Sequence, residues 1–562
     1  MKKLRWQVLV VVLTLAVVGI LLVTQRSSPT GTALPQPATG GIYTEALVGS
    51  FGRLNPALDW ANPADRAIDR LIFSGMIKFD EYGIPRSDVA ESWGVSQDGM
   101  IYNVSLRQDA FWEDGMPVTS DDVIFTLGLL RSQYSTYPAD ARAMWDEILV
   151  KRLDEKTLQF VLPEPFAPFL DYLSFGILPK HVLETLPADQ LANSDFNLKP
   201  VGCGPFRVDH LTVENGQVTG VTLALSENYF GGRPYIEQIT FRYYPTAAAA
   251  LDAYQQGDML GISEITPDIL AEACSDPNLN CYTSRMPRLT LVLFNHKSND
   301  APFLQDKNIR KALLLGLNRQ RMIDVTLNGQ AVVADSPILP GTWAYYSGIQ
   351  HVEYDPIAAE RLLAEAGYIL PAGETVRVKD GAPLAFTLLH PDDDQHTRVA
   401  QWIQQDWAAI GVQVTLRAMP YASLVNDSLA PRAYQAALVD LDLSGSPDPD
   451  PYPFWHQSEA TGGQNYSQWD NRPASEYLEQ ARVVFDQSTR ARLYRNFQVI
   501  FAKETPAVLL YHPVYTYGVD VRVNGVQLAP IFDPSDRFDT ILDWYLLTRR
   551  AAGETAQPTI SP

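Results

Sequence analysis

The stretch Leu384–Leu416, "LAFTLLHPDDDQHTRVAQWIQQDWAAIGVQVTL", changes its hydrophobic period twice, and that decides the fold class. "LAFTLLH" reads as a strand. In "TRVAQWIQQDWAAIG" the apolar Val399, Ile403 and Ile410 share one helical face, and Gly411 stands where a helix closes. "VQVTL" then alternates, with Val412, Val414 and Leu416 on one side of a half-buried strand. Strand, helix, strand is a βαβ unit, and its ligand side is the carboxyl end of the first strand. Here that end is "HPDDDQH", His390–His396.

Outward from this unit the same alternation continues. In "DPIAAERLLAEAG" Asp355 is placed to cap a helix, Pro356 to open it and Gly367 to end it, with Ala359, Leu362, Leu363 and Ala366 as its apolar stripe. Helices alternating with strands predict α/β layers. No short-period repeat is present, which excludes solenoids and propellers. A chain of 562 residues predicts two or three domains. The balance of 46% hydrophobic and 19% charged residues is that of a globular protein. A net charge of −21, with no basic run past the N-terminus, excludes a nucleic-acid partner.

The apolar run Trp6–Val23 follows Lys2, Lys3 and Arg5 and is long enough to span a bilayer. It predicts an uncleaved signal-anchor with the body extracytoplasmic; a cleaved signal peptide and a secreted protein is the alternative. Residues 24–41, rich in Thr, Ser, Pro and Gly, read as a flexible tether, and 550–562 as a disordered tail. Of three cysteines, Cys274 and Cys281 bracket a short polar loop and can pair in an oxidising compartment. Cys203, in "VGCGPF", is left as a buried thiol.

The catalytic motifs G-x-S-x-G, H-E-x-x-H, the P-loop and C-x-x-C do not occur. "HPDDDQH" could hold a metal, but it lacks a rigid ligand spacing, and Asp392–Asp394 read as caps of the following helix. No cofactor is therefore expected. Asp440 and Asp442, in "DLD", share one face of a strand. Two acids on one side of a substrate make a poor glycosidase pair, so ligand or structural hydrogen bonding is expected of them. "PDPDPYPFWHQ", Pro447–Gln457, is a proline-stiffened loop holding Asp448, Asp450, Tyr452, Phe454 and Trp455. Such loops commonly contact a ligand.

Several segments carry a resemblance. "VAESWGVSQDGMIYNVSLRQDAFWEDGMPVTSDDVIFTL", "LFNHKSNDAPFLQDKNIRKALLLGLNRQRMI", "YDPIAAERLLAEAGY", "IGVQV" and "DPDPYPFWHQSEATGGQNYSQWDN" occur in the order seen in family 5 extracytoplasmic solute-binding proteins, the dipeptide/oligopeptide receptors of ABC importers. The chain resembles that family from Gly41 to about Leu547. The resemblance implies a two-lobed α/β clamp of the periplasmic-binding-protein type (type II) with an additional inserted domain. On it, lobe I comprises 41–84, 200–285 and 506–549, the inserted domain 85–199, and lobe II 286–505, with 1–40 the anchor and tether. It implies capture of a peptide between the lobes and delivery to an ABC transporter permease by a monomeric, non-catalytic receptor.

The resemblance also implies site residues. In peptide-binding relatives an aspartate ahead of a Pro-aromatic loop holds the ligand ammonium; the matching position is Pro447, and Asp448 replaces it if the loop shifts by one. His396 stands where relatives meet a ligand carboxylate, Tyr421 where they have a pocket aromatic, and Ser50 and Phe51 where the first lobe touches ligand. Tyr452 and Trp455 would line the wall. Leu327 stands in place of a family lysine, and Arg432 only lies near a family arginine. The competing readings are an oligosaccharide receptor of the same fold, a secreted hydrolase built on Asp440 and Asp442, and a ligand sensor.

Overall fold

A 12-stranded sheet runs through the molecule, in a computed structural model that describes residues 35–444 and 447–550. Its site-bearing strands are β1 (Ile42–Val48), β2 (Leu279–Arg285), β3 (Arg288–Phe294), β4 (Ala385–Pro391), β5 (Gln413–Met419), β6 (Ala436–Asp442) and β7 (Ala507–Asp520). The helices that matter for the site are α1 (Pro63–Ile72), α2 (Asp394–Ala409) and α3 (Gln487–Glu504).

The βαβ unit is present. β4 and β5 pair in parallel from Ala385↔Gln413 to Pro391↔Met419, with α2 as the crossover. The helix begins ahead of Thr397 because the Asp393 carboxylate accepts the His396 N–H at 2.9 Å and caps it there. Gly411 closes it at φ +83°, a conformation that strains any side chain. The buried face of α2 includes Val399, Ile403 and Trp407; burial of Val399 and Ile403 contributes roughly 1.5–3 kcal/mol each.

β7 decides how the lobes are joined. Its first half, Ala507–Tyr511, pairs with β3, and its second half, Val514–Asp520, pairs with β2. Val508, Leu510 and Tyr511 accordingly belong to lobe II packing, while Tyr515, Tyr517 and Val519 belong to lobe I. The strand thus passes from one cluster to the other at His512–Pro513. Met286–Pro287, between β2 and β3, makes the other crossing. The crossings are stitched together: His512 Nδ1–H donates to the Arg288 carbonyl at 2.9 Å, and the Leu443 N–H to that of Pro287 at 2.8 Å. Burial holds His512 down at about 4, so it stays neutral there.

A separate four-stranded antiparallel sheet, between Ala90 and Val161, forms the additional unit. Its Val104 and Phe160 share one apolar cluster with Ile239 and Phe241 of lobe I, so the two units have a common core. Lobe II keeps separate clusters on the two faces of its sheet.

Pro35–Ala38, inside the expected tether, pairs antiparallel with Leu547–Arg550, so this part of it is strand. The paired ends satisfy each other's backbone groups. The apolar run Trp6–Val23 and the tail from 551 lie outside the described residues. Among the described residues, no helix is long and apolar enough to cross a membrane. Cys274 and Cys281 are joined by a disulfide. Cys203 is free and buried, and burial pushes its thiol up to about 12, which removes the thiolate a nucleophile needs.

Candidate functional site: a cleft at the hinge

The strand registers aim two edges at the hinge. In lobe II, β3 runs antiparallel to β6 with Arg288↔Asp442 and Thr290↔Asp440, and Thr290 stands opposite Tyr511 of β7. The carboxyl end of β6 therefore points at His512–Pro513. In lobe I, Ala46 of β1 stands level with Ile262, which faces Gly518, so β1 runs toward the same crossing from the other side. Ser50 and Phe51 follow at that end. Ser50 is exposed and its carbonyl accepts from Asn62 Nδ2 at 3.0 Å; Phe51 packs edge-on against Tyr243, with centroids 6.2 Å apart.

His396, Tyr421 and Asp440, far apart in sequence, meet at the carboxyl edge of β4, β5 and β6. His396 Nδ1 lies 2.7 Å from Asp393 Oδ2. Its buried Nε2 lies 3.5 Å from Asp440 Oδ2, at ion-pair distance. Asp440 Oδ1 accepts from Thr290 Oγ1 at 2.6 Å, and the Tyr421 hydroxyl donates to the Asp440 carbonyl at 3.0 Å. Burial alone would lower the His396 pKa, but the Asp440 and Asp393 carboxylates outweigh it and raise it. Burial would raise Asp440; the His396 imidazole, the Thr290 hydroxyl and the positive charge of Arg288 outweigh it and hold the acid below its usual range. Arg288, half-buried at this edge, makes no ion pair among the described residues.

Asp442 points elsewhere. With Ser444 and Pro447 of lobe II it lines a cavity of about 250 Å³ whose other walls come from lobe I and the additional unit. Seven aspartates line this cavity against two arginines. Arg66 pairs with Asp533 at 2.8 Å, and Arg70 with Asp539 at 3.0 Å and Asp536 at 3.8 Å. Burial raises the pKa of Asp59, Asp69 and Asp536, and neighbouring carboxylates add to the rise.

The proline loop turns the other way, and it takes Asp448 and Trp455 into the interior. Asp448 is buried and held by the Arg490 guanidinium, while its N–H donates to Asp171 Oδ2 at 2.6 Å. Both oxygens of this carboxylate are taken by the internal arginine. Trp455 is 2% exposed, its ring 4.7 Å from that of Phe501 in the lobe II core, so it is no cleft wall. Tyr452 stacks on His456 at 4.0 Å, with the Arg482 guanidinium 3.7 Å over its ring. Arg482 also binds Asp450 at 2.8 Å. The loop fastens lobe II against the additional unit. Leu327 is buried in the lobe II core, and Arg432 is consumed by carbonyls, among them Leu429 and Gly463.

The sequence reading missed Arg288 and the whole acidic cavity. A signal existed for the cavity. Asp65 and Asp69 interrupt the apolar stripe of α1 beside Ile68 and Ile72, and acids in a buried stripe need a reason. Arg288 gave no signal, because its position depends on β3 meeting β6.

The family model described as bacterial extracellular solute-binding proteins, family 5 (Middle), matches residues 85–464. The oligopeptide-binding protein AppA of Bacillus subtilis (strain 168) is 27% identical over 505 residues, covering 88% of this chain and 90% of its own. The dipeptide-binding protein of Escherichia coli (strain K12) is 26% identical over 462 residues, covering 79% of this chain and 84% of its own. The solved structure of AppA from Bacillus subtilis in complex with a nonapeptide matches with a TM-score of 0.66 at 26% identity, covering 91% of this chain and 100% of that one.

Proposed function

The chain belongs to the family 5 bacterial extracellular solute-binding proteins, and from this we propose that it is an extracytoplasmic receptor that captures a peptide at the hinge and delivers it to an ABC transporter permease. The observation that carries the reading is the length of the match: the oligopeptide-binding relative aligns along 90% of itself, across both lobes. The cleft chemistry supports it. Arg288, which makes no ion pair among the described residues, offers donors to a ligand carboxylate, and His396, paired with Asp440, stands at the same edge. Asp442 and the acids around it suit an amine. Tyr421 and Asp440, with Ser50 and Phe51 opposite, complete the contact surface. Burial of Trp455 takes away the ring on which a sugar would have stacked, which favours peptide over oligosaccharide. Trp6–Val23 would hold the receptor at the membrane.

Isothermal titration of the whole chain with di- to nonapeptide pools tests this, together with mass spectrometry of the ligand after incubation. Saturable one-to-one binding with an unchanged ligand is expected. A chain that binds none of the pools, or that cleaves them, is not a peptide receptor.

A further inference from the structure

We propose that the acidic cavity seats a positively charged side chain of the bound peptide, a lysine ammonium or an arginine guanidinium, against Asp59, Asp69 and Asp442. The inference rests on the peptide-receptor reading and deepens it by naming the class of side chain selected.

Asp69 is the key group. It is 3% exposed, it lines the cavity, and neither of its carboxylate oxygens makes a hydrogen bond of ordinary geometry, its polar neighbours being the Asn55 N–H and the Asp59 carboxyl. One turn earlier on α1, Asp65 shows what a satisfied acid looks like in the same helix: it accepts from the Gly52 and Arg53 N–H groups at 3.0 and 2.8 Å and from Asn62 Nδ2 at 2.7 Å. A buried carboxylate without such partners keeps its charge only if a cation arrives. The cavity's own arginines are committed, Arg66 to Asp533 and Arg70 to Asp539 and Asp536. A cation that ionises this pair would therefore come from outside the chain; without one, burial favours the protonated forms of Asp69 and Asp59.

The remaining walls fit a side chain better than a bare ion. Trp60, Phe79 and Phe532 line the same space. Ring faces attract ammonium and guanidinium groups, and ring edges pack the methylene stem behind them. Among the described residues, no group of three or more His, Cys, Asp or Glu is arranged to hold a metal ion. Asp442 enters from lobe II while Asp59 and Asp69 belong to lobe I. A cation placed among them would attract both lobes and so favour the closed clamp, which couples recognition to closure.

The test uses the whole chain and alanine pentapeptides in which each position in turn is Lys, Arg, norleucine or Glu. At one position Lys or Arg should bind about tenfold or more tighter than norleucine, with Glu the weakest. Asp69→Asn should abolish that preference without lowering the Tm of the ligand-free chain, because an amide replaces a carboxyl whose neutral form burial favours. Cadaverine and agmatine, compared with sodium chloride of equal ionic strength, should raise the Tm of the wild type and not of Asp69→Asn. If pentapeptides bind but norleucine equals Lys and Arg at every position, the charged-side-chain assignment is wrong and the receptor reading stands. If none binds, the receptor reading fails, and the diamine arm still judges the cavity. A lowered Tm in Asp69→Asn with the preference intact, or no response to either amine, overturns the inference.

Discussion

Asp448 and Arg490 face each other in a buried two-pronged pair, Nη1 to Oδ2 at 2.5 Å and Nη2 to Oδ1 at 2.9 Å. Both side chains are 7% exposed, and Tyr494 adds its hydroxyl 3.5 Å from Oδ1. The pair bolts the proline loop to α3, while the loop's backbone reaches Asp171 of the additional unit. Asp448→Ala would leave Arg490 charged, buried and without its carboxylate. We expect a loss of about 3–5 kcal/mol, read from urea unfolding. Peptide affinity of the folded fraction should change little. A variant as stable as the wild type that no longer binds peptide would return Asp448 to the ligand.

His396 and Asp440 should give stability a pH signature. The folded pKa of His396 is raised, so its contribution is full below the ordinary value of about 6.5 and is lost as pH climbs through the folded value. That of Asp440 is lowered, so its contribution is present above about 3.9 and is lost as pH falls through the folded value. The stability difference between wild type and Asp440→Asn should therefore peak between these limits and shrink on both sides. NMR titration of the imidazole checks the premise. A His396 that titrates at or below 6.5 would contradict it.

Arg288 is expected to recognise a free carboxylate. Arg288→Gln should weaken binding of a free-acid peptide by about 1.5–3 kcal/mol, the scale of a charge-assisted hydrogen bond. The C-amidated form of the same peptide should bind wild type and variant alike. Equal losses for acid and amide would place the Arg288 contribution in packing.

The lobe I core contains its own charged bolt. Glu45, 0% exposed, accepts from Arg537 Nη2 at 2.6 Å and from the Tyr517 and Tyr43 hydroxyls at 2.8 and 3.0 Å. Arg537→Ala should cost about 3–5 kcal/mol, because the acid stays buried without its cation. Glu45→Gln with Arg537→Met should recover much of that loss. Chemical denaturation of the single and double variants reads both numbers, and additive losses would argue against a coupled pair.

Much of the architecture could be read along the chain because its causes are local. The periods of Leu384–Leu416 set β4, α2 and β5, and the Asp393 cap and Gly411 set the helix ends. The motifs quoted from Val89 onward carried the family. What could not be read was which side chains would find each other. His396 meets Asp440, and Asp448 meets Arg490, across some forty residues in each case. Asp69 and Asp442 share a cavity from opposite lobes. Alternation and capping act over a turn or a strand, so the sequence by itself determined the elements, their order and the hinge-facing edge of the βαβ unit. Pairing of buried charges depends on strand register and lobe packing. The tertiary structure therefore decided that Asp448 braces the fold, that Trp455 fills the core, and that Asp59, Asp69 and Asp442 line one cavity.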